Sequence, residues 1–336
     1  MRHDPATAEP SSARPPAMAA AAPGDRRVTV LHVTGTGRSG STLLGGVLGQ
    51  VHGFFNVGEL GFLWERGLAA HGGCGCGEPV RRCAVWAEIL TRALGGTDGP
   101  EADVLRRMHA GTTRGRDVQA LRIARRLPRP YGPAMDEYGT LLGRVYTAIA
   151  EVTGCRVVVD TTKPVTYGHL LDRLTGLDVR MAHLVRDPRA VAWSWLRVKP
   201  GAAADAMARR PALVSALLWR AGNAAAAGLW GQDADRYLAV RYEDLIADPE
   251  PWLAAIVRLA GPGDPDLPLV DARTAVLAPT HTVAGNVDRH RSGRVVFRLD
   301  DEWRRAMPRN QRRVVEAATF PLRLRYGYRG GAGSGE

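Results

Sequence analysis

The chain has 336 residues, 45% hydrophobic and 24% charged, with 45 lysines and arginines against 34 acidic residues for a net charge of +11. That length and apolar content suffice for a large buried core, in one α/β domain or two smaller ones, and no apolar run approaches the roughly 20 residues that span a bilayer. The basic excess would suit a polyanion, but only 6% of residues are aromatic, Lys163 and Lys199 are the only lysines, and no nucleic-acid motif accompanies the arginines, so a solvated basic surface is expected and no nucleic-acid partner.

Residues 1–26 are rich in proline, alanine and serine and lack the leucine-rich core of a signal peptide. They read as a disordered tail before a folded domain over 27–329, with 330–336 as a flexible end. Four cysteines are too few for a secreted disulfide framework in a chain this long, which points to the cytoplasm. "RVTVLHVTG" is a β-branched run bounded by glycine and predicts a buried strand, and "STLLGGVLGQV" has helical spacing with Ser41 or Thr42 at its start. After this first βα unit, residues 59–154 predict a helical insertion. Its last helix, 134–152, carries Met135, Tyr138, Leu142, Val145, Ile149 and Val152 as a core-facing stripe, whereas the arginine-rich piece 106–130 is expected at the surface. Further strands are expected at 155–160, 178–187 and 236–242, with a long helix from Pro211 to Trp230 before the last. Strands alternating with helices predict an α/β fold, a P-loop-like and mostly parallel sheet flanked by helices, whose ligands bind at the carboxyl ends of the strands.

"HVTGTGRSGSTLLGGVLG", residues 32–49, runs from the first strand through a glycine-rich turn into the first helix. The nucleotide pattern G-x-x-x-x-G-K-[ST] is met at Gly35, Gly40 and Thr42, but Ser41 stands where a lysine would reach the β and γ phosphates of a triphosphate. Gly35, Gly37 and Gly40 let the backbone aim several N–H groups at one anion, and the helix adds its positive end. Arg38 stands at the tip, and Ser39, Ser41 and Thr42 offer hydroxyls. A ligand with one phosphate and a second anionic group fits this set better than a magnesium triphosphate.

"RSGSTLL" resembles the 5′-phosphosulfate loop of sulfotransferases that use 3′-phosphoadenosine 5′-phosphosulfate (PAPS), and three further segments are similar to that family in its own order. "RDPRAVAWSW" resembles the 3′-phosphate segment, with Arg186 at a strand end and Ser194 eight residues on; the arginine offers a bidentate fork and the serine lies on the same face of the helix opened by Pro188. "RYEDLIADPE" resembles the segment that brings a tyrosine near the adenine, which implicates Tyr242. "HTVAGNVDRHRSG" looks like the closing loop of bacterial members, where Gly285, Asn286 and Arg289 would cover the 3′-phosphate and adenosine. The resemblance spans roughly residues 28–307 and implies PAPS as co-substrate, with Gly37, Arg38, Ser39, Gly40, Ser41 and Thr42 at its phosphosulfate and no metal required.

Sulfuryl transfer needs a base for the acceptor hydroxyl and cations for the charge that grows on the leaving oxygen. "NVGEL" offers Glu59, 21 residues after Arg38, an interval that resembles the tyrosylprotein sulfotransferases. Glu59 is therefore the expected general base, its pKa raised by Phe54, Phe55, Leu60 and Trp64 or lowered by Arg38. Lys163 in "VVVDTTKP" resembles the lysine of the glutamate-type enzymes, and with Arg38 it is assigned to charge stabilisation. The expected acceptor is a hydroxyl of a small metabolite, sugar or lipid rather than a protein, bound by the 59–154 insertion.

Two other functions compete. Asp160 after "VVV" could be the magnesium-binding aspartate of a kinase or NTPase, and the chain could bind a nucleotide without catalysis. Cys74, Cys76 and Cys83, with His71 nearby, form the pattern C-x-C-x₆-C. This departs from the usual zinc spacings and leaves a metal site, a disulfide and a packed glycine-cysteine turn as readings. His52 and His183 read as ordinary polar residues, and His281, which opens the closing loop, is a weaker catalytic candidate.

Overall fold

The computed structural model describes residues 27–68, 72–112, 133–197, 209–261 and 266–329. The first strand, β1 (Val28–Gly35), is buried along nearly its whole length. Its side chains alternate between two cores: Val30 joins one apolar cluster while Leu31 and Val33 join another. A strand buried on both faces favours apolar residues on both, as in the mostly apolar run "VTVLHV", in which His32 is buried as well.

β1 is the middle of a five-stranded parallel sheet in the order β2, β3, β1, β4, β5. The others are β2 (Phe54–Gly58), β3 (Val157–Asp160), β4 (Leu177–Val185) and β5 (Tyr237–Arg241). One face is covered by α1 (Ser41–Leu48), α8 (Tyr242–Ala247) and α9 (Pro249–Ala260), through Leu44, Val47, Leu245 and Ile256. The other packs against α2 (Ala84–Leu94), α3 (Pro100–Thr112), α4 (Pro133–Thr153), α5 (Val165–Asp172) and α7 (Ala212–Trp230). Of the stripe expected on α4, Tyr138, Leu142, Val145 and Ile149 are buried there and Val152 packs against them; the Met135 side chain lies outside the described residues. So do residues 1–26, 113–132 and 330–336, and with them both ends and most of the arginine-rich piece. Trp195 on α6 (Pro188–Leu196) packs with Trp219 of α7, and Trp303 of α10 (Trp303–Ala306) clusters with Val315 of α11 (Arg309–Thr319). Among the described residues no helix is long and apolar enough to cross a membrane.

Two features depart from the sequence reading. β2, a short segment interrupted by Asn56, is an additional edge strand, so Glu59 follows a strand and not the first helix. A second, antiparallel sheet of β6 (Leu269–Asp271), β7 (Thr274–Leu277) and β8 (Gly293–Val296) frames the closing segment. That segment binds back onto β2, where Val283 N–H donates to Val57 O at 2.9 Å and Glu59 N–H to Val283 O at 3.0 Å. Gly58 permits the approach: its φ is 76° and a Cβ there would lie 2.6 Å from Val283 O.

Asp160 ends β3 inside the core. One carboxylate oxygen accepts from Tyr146 O–H, which also contacts Tyr167 O–H at 3.0 Å, and the other accepts from Thr162 N–H at 2.6 Å. Burial pushes its pKa up to about 6, against the opposing pull of the Thr162 and Tyr146 hydrogen bonds. A carboxyl that keeps its proton more tightly when folded favours folding at low pH, and that contribution is lost as pH rises from near 4 through about 6. Urea unfolding across this window should show stability falling with pH more steeply in the wild type than in Asp160→Asn, and equal slopes would remove Asp160 as the titrating group.

Candidate active site

At the carboxyl end of β1 the chain turns through Thr36–Gly40 into α1. Arg38 has a φ of 71°, rare for a residue with a side chain, and Gly40 has a φ of 96°. A Cβ on Gly40 would fall 2.5 Å from the Tyr242 ring. The turn is thus pressed against β5's exit, with the orphan N–H groups of α1's first turn at its mouth. The turn's Thr36 hydroxyl and Arg38 Nε are buried without a hydrogen-bond partner among the described residues, a polar surplus that an anionic ligand would satisfy. Ser39 is the exception within the motif. Its Oγ is also buried without a hydrogen-bond partner among the described residues, but it sits beneath the turn, 3.7 Å from where a Gly35 Cβ would stand, and does not line the adjoining cleft.

Arg186 follows β4. Its Nη1 donates to Arg38 O at 3.0 Å and its Nη2 to Asp300 O at 3.2 Å, while Trp219 Nε1 donates to Arg186 O at 2.8 Å. The guanidinium lies 4.6 Å from the Tyr242 ring centroid, and its Nε has no hydrogen-bond partner among the described residues. Ser194 stands on α6, opened by Pro188 with Asp187 as its cap. The neighbouring Trp195 carries two cations on its ring, Arg38 at 5.0 Å and Arg210 at 4.1 Å. Burial lowers the Arg38 pKa from the ordinary arginine value; nearby Asp288 opposes that shift, and Arg197 and Arg186 add to it. The cations here outweigh their counter-charges, and added negative charge would relieve the imbalance.

Glu59 follows β2 and Lys163 follows β3, adjacent parallel strands, so residues 104 apart in sequence meet: Lys163 Nζ donates to Glu59 Oε1. Arg66 Nη1 is 3.9 Å from the other oxygen, Oε2. The cations that Glu59 meets are thus Lys163 and Arg66, in place of the expected Arg38 or a purely apolar surround. Gly285 of the closing loop, with a φ of 96°, approaches the same carboxylate. Arg289 reaches across the loop, donating to Gly285 O at 3.3 Å and Gly73 O at 3.1 Å, and Asn286 Oδ1 accepts from Asp288 N–H at 3.2 Å.

These groups line one cleft of about 910 Å³. Glu59, Arg38, Lys163, Gly37, Gly40, Ser41, Thr42, Arg186, Ser194, Tyr242, Gly285, Asn286 and Arg289 all face it. Among the described residues, ten arginine or lysine side chains line it against three carboxylates. Asp160 is not among them, being enclosed by Tyr146 and Thr162, which removes it as a ligand for magnesium at the loop. His183 is likewise a core residue, contacting Tyr237 O–H at 2.6 Å and Asn223 Oδ1 at 2.8 Å. His281 turns its Nδ1 toward Cys83 Sγ at 3.2 Å and away from the cleft. Sequence reasoning missed Trp195, Arg197 and Asp300. The pattern "AWSWLR" held a signal for the first two, since an aromatic and a cation flanking Ser194 sit on the turn that faces the loop.

Every strand of the parallel sheet delivers a polar group to this edge, the edge at which ligands of open α/β sheets bind. The family model described as "Sulfotransferase family" matches residues 31–266, and the chain belongs to that family. Two solved structures are among those matched. The sulfotransferase domain from the Synechococcus PCC 7002 olefin synthase is 22% identical over 86% of this chain and 93% of that one, with a TM-score of 0.42. The sulfotransferase domain from the curacin biosynthetic pathway is 18% identical over 91% and 99%, with a TM-score of 0.48. No match was found among curated proteins.

Gly40→Ala tests the loop as an anion site. A left-handed non-glycine residue costs about 1–3 kcal/mol, and its Cβ would displace Tyr242. Inorganic pyrophosphate should raise the melting temperature of the wild type, whereas Gly40→Ala should melt lower and lose that gain. A gain retained in the variant would place the anion elsewhere.

Proposed function

We propose that the protein transfers the sulfuryl group of PAPS to a hydroxyl of a small metabolite, sugar or lipid. The observation that carries this reading is the meeting of Glu59 with Lys163 in the same cleft as Arg38, Arg186 and Tyr242. The residues fit the co-substrate: the unpartnered Arg38 Nε, Arg186 Nε and Thr36 hydroxyl are donors for its anionic groups, and the glycine turn is a cradle that a Cβ would obstruct.

When bound, PAPS supplies an electrophilic sulfur, and the sulfuryl group passes to the acceptor oxygen as its bond to phosphate breaks. Backbone N–H groups from Gly37 to Thr42 hold the phosphosulfate. Arg186 and Ser194 hold the 3′-phosphate, with Tyr242 beside the adenine and Gly285, Asn286 and Arg289 covering the nucleotide. Glu59 takes the acceptor proton, and its salt bridge to Lys163 holds the carboxylate in place. Lys163 and Arg38 offset the charge that develops between the acceptor and the leaving phosphate. Phe62, Val165 and Leu218 line the cleft and offer apolar surface against which the acceptor packs. A magnesium nucleotide would need a carboxylate near Thr42, and Asp160 is turned into the core.

Calorimetric titration should find binding of 3′-phosphoadenosine 5′-phosphate stronger than of Mg-ATP; tight ATP binding with none of the bisphosphate would sink the assignment. Glu59→Gln should keep bisphosphate affinity and lose turnover by roughly 100- to 10,000-fold, so normal turnover would remove it as base. Arg186→Ala should weaken the bisphosphate by about 10- to 100-fold and adenosine 5′-phosphosulfate much less, since only the former carries the 3′-phosphate.

A further inference from the structure

Away from the cleft, four side chains with metal-ligand atoms converge. Cys74 and Cys76 lie in the turn at the start of the insertion, Cys83 immediately precedes α2, and His281 opens the closing loop 198 residues after Cys83. Cys74 Sγ is 3.7 Å and Cys76 Sγ 3.9 Å from Cys83 Sγ. His281 Nδ1 is 3.2 Å from Cys83 Sγ and 3.8 Å from Cys74 Sγ, and all four ligand atoms lie within 4.8 Å of one another. None of the four residues lines the cleft.

A tetrahedral ion with Zn–S bonds of about 2.3 Å and a Zn–N bond of about 2.0 Å sets its ligands roughly 3.8 Å apart, sulfur to sulfur, and roughly 3.6 Å apart, sulfur to nitrogen. The sulfur–sulfur separations of 3.7 and 3.9 Å match the first figure, and the sulfur–nitrogen separations of 3.2 and 3.8 Å lie on either side of the second. A disulfide needs about 2.05 Å, and all three sulfurs are free thiols. A disulfide would also use two of them and leave the third and the imidazole without purpose. The cluster is held from outside by its surroundings. Cys74 N–H donates to Glu78 O at 2.7 Å, Gly75 N–H to Thr282 O at 2.9 Å and Trp86 Nε1 to His281 O at 2.6 Å. The His281 ring stacks on Phe55 at 6.4 Å with a 17° interplanar angle. Preorganised ligands with supported backbones are the mark of a structural site.

We propose that Cys74, Cys76, Cys83 and His281 bind one zinc ion in a closed Cys₃His site. The three thiols give up their protons to solvent and ligate as thiolates, and neutral His281 ligates through Nδ1. With Zn²⁺ the site carries one net negative charge, and no electron is transferred. The ion fastens the insertion to the closing loop beside Val283, whose carbonyl accepts from Glu59 N–H. Its role is architectural and separate from the sulfuryl-transfer reading, which needs no metal.

The full chain, expressed with zinc and purified without chelator, should hold about one zinc per chain by elemental analysis. Cys83→Ser and His281→Asn should lose it, and Cys155→Ser, whose cysteine stands outside the cluster, should keep it. Cobalt exchanged into the wild type should show thiolate charge-transfer and tetrahedral ligand-field bands. If Cys83→Ser does not fold, the cobalt spectrum of His281→Asn decides, since bands unchanged from wild type would overturn the site. Freshly purified protein without metal and with all its thiols freely reactive would also overturn it, as would an intact mass two hydrogens lighter with Cys74, Cys76 or Cys83 in a disulfide.

Discussion

Parallel pairing is the constraint on which the rest depends. Five strands running one way put all five carboxyl ends at one edge, and each end supplies a group to the cleft. Glu59 leaves β2, Lys163 leaves β3, the glycine turn leaves β1, Arg186 leaves β4 and Tyr242 begins the helix after β5. The order of strands also orders the chemistry. β2 and β3 are neighbours, so the carboxylate meets the lysine; β1 and β4 are neighbours, so Arg186 can donate to the carbonyl of Arg38 at the turn.

Holding so many cations at one edge is costly without counter-charge, and the structure offsets part of that cost with aromatic faces. Arg38 and Arg210 both lie against the Trp195 ring and Arg186 against Tyr242, so each guanidinium gains a favourable aromatic contact. Asp300 neutralises part of the remainder, 3.4 Å from Arg186 and also paired to Arg197. The sheet meanwhile keeps Asp160, its buried carboxyl, on the core side among tyrosine hydroxyls. Two acids on adjacent strands, Glu59 and Asp160, thus acquire different environments: one faces cations at the rim, the other faces phenols inside.

The closing segment completes the site by pairing with β2 as an added rung. Val283 exchanges backbone hydrogen bonds with Val57 and Glu59, so the loop that carries Gly285, Asn286 and Arg289 is registered to the strand that carries the carboxylate. Its small antiparallel sheet was not legible in the sequence, because strands of three and four residues give too short a period to separate from loop. β2 escaped for the same reason: it has five residues, with Asn56 breaking its apolar run. The glycine turn, the arginine at the end of β4, the serine on α6 and the tyrosine after β5 could be read because each is a local pattern next to a strand strong enough to recognise.

The sequence by itself determined the elements whose information is local: an apolar β-branched strand feeding a glycine turn with no lysine after Gly40, and a sheet of repeated βα units. Only the tertiary structure decided which side chains share a space. Glu59 and Lys163, Cys83 and His281, and Arg186 and Asp300 are separated by about 100 to 200 residues, and their meeting depends on strand order and on how the closing segment packs back. Spacing along the chain carries no record of that order, because hydrophobic burial fixes which strands are neighbours only when the whole sheet assembles.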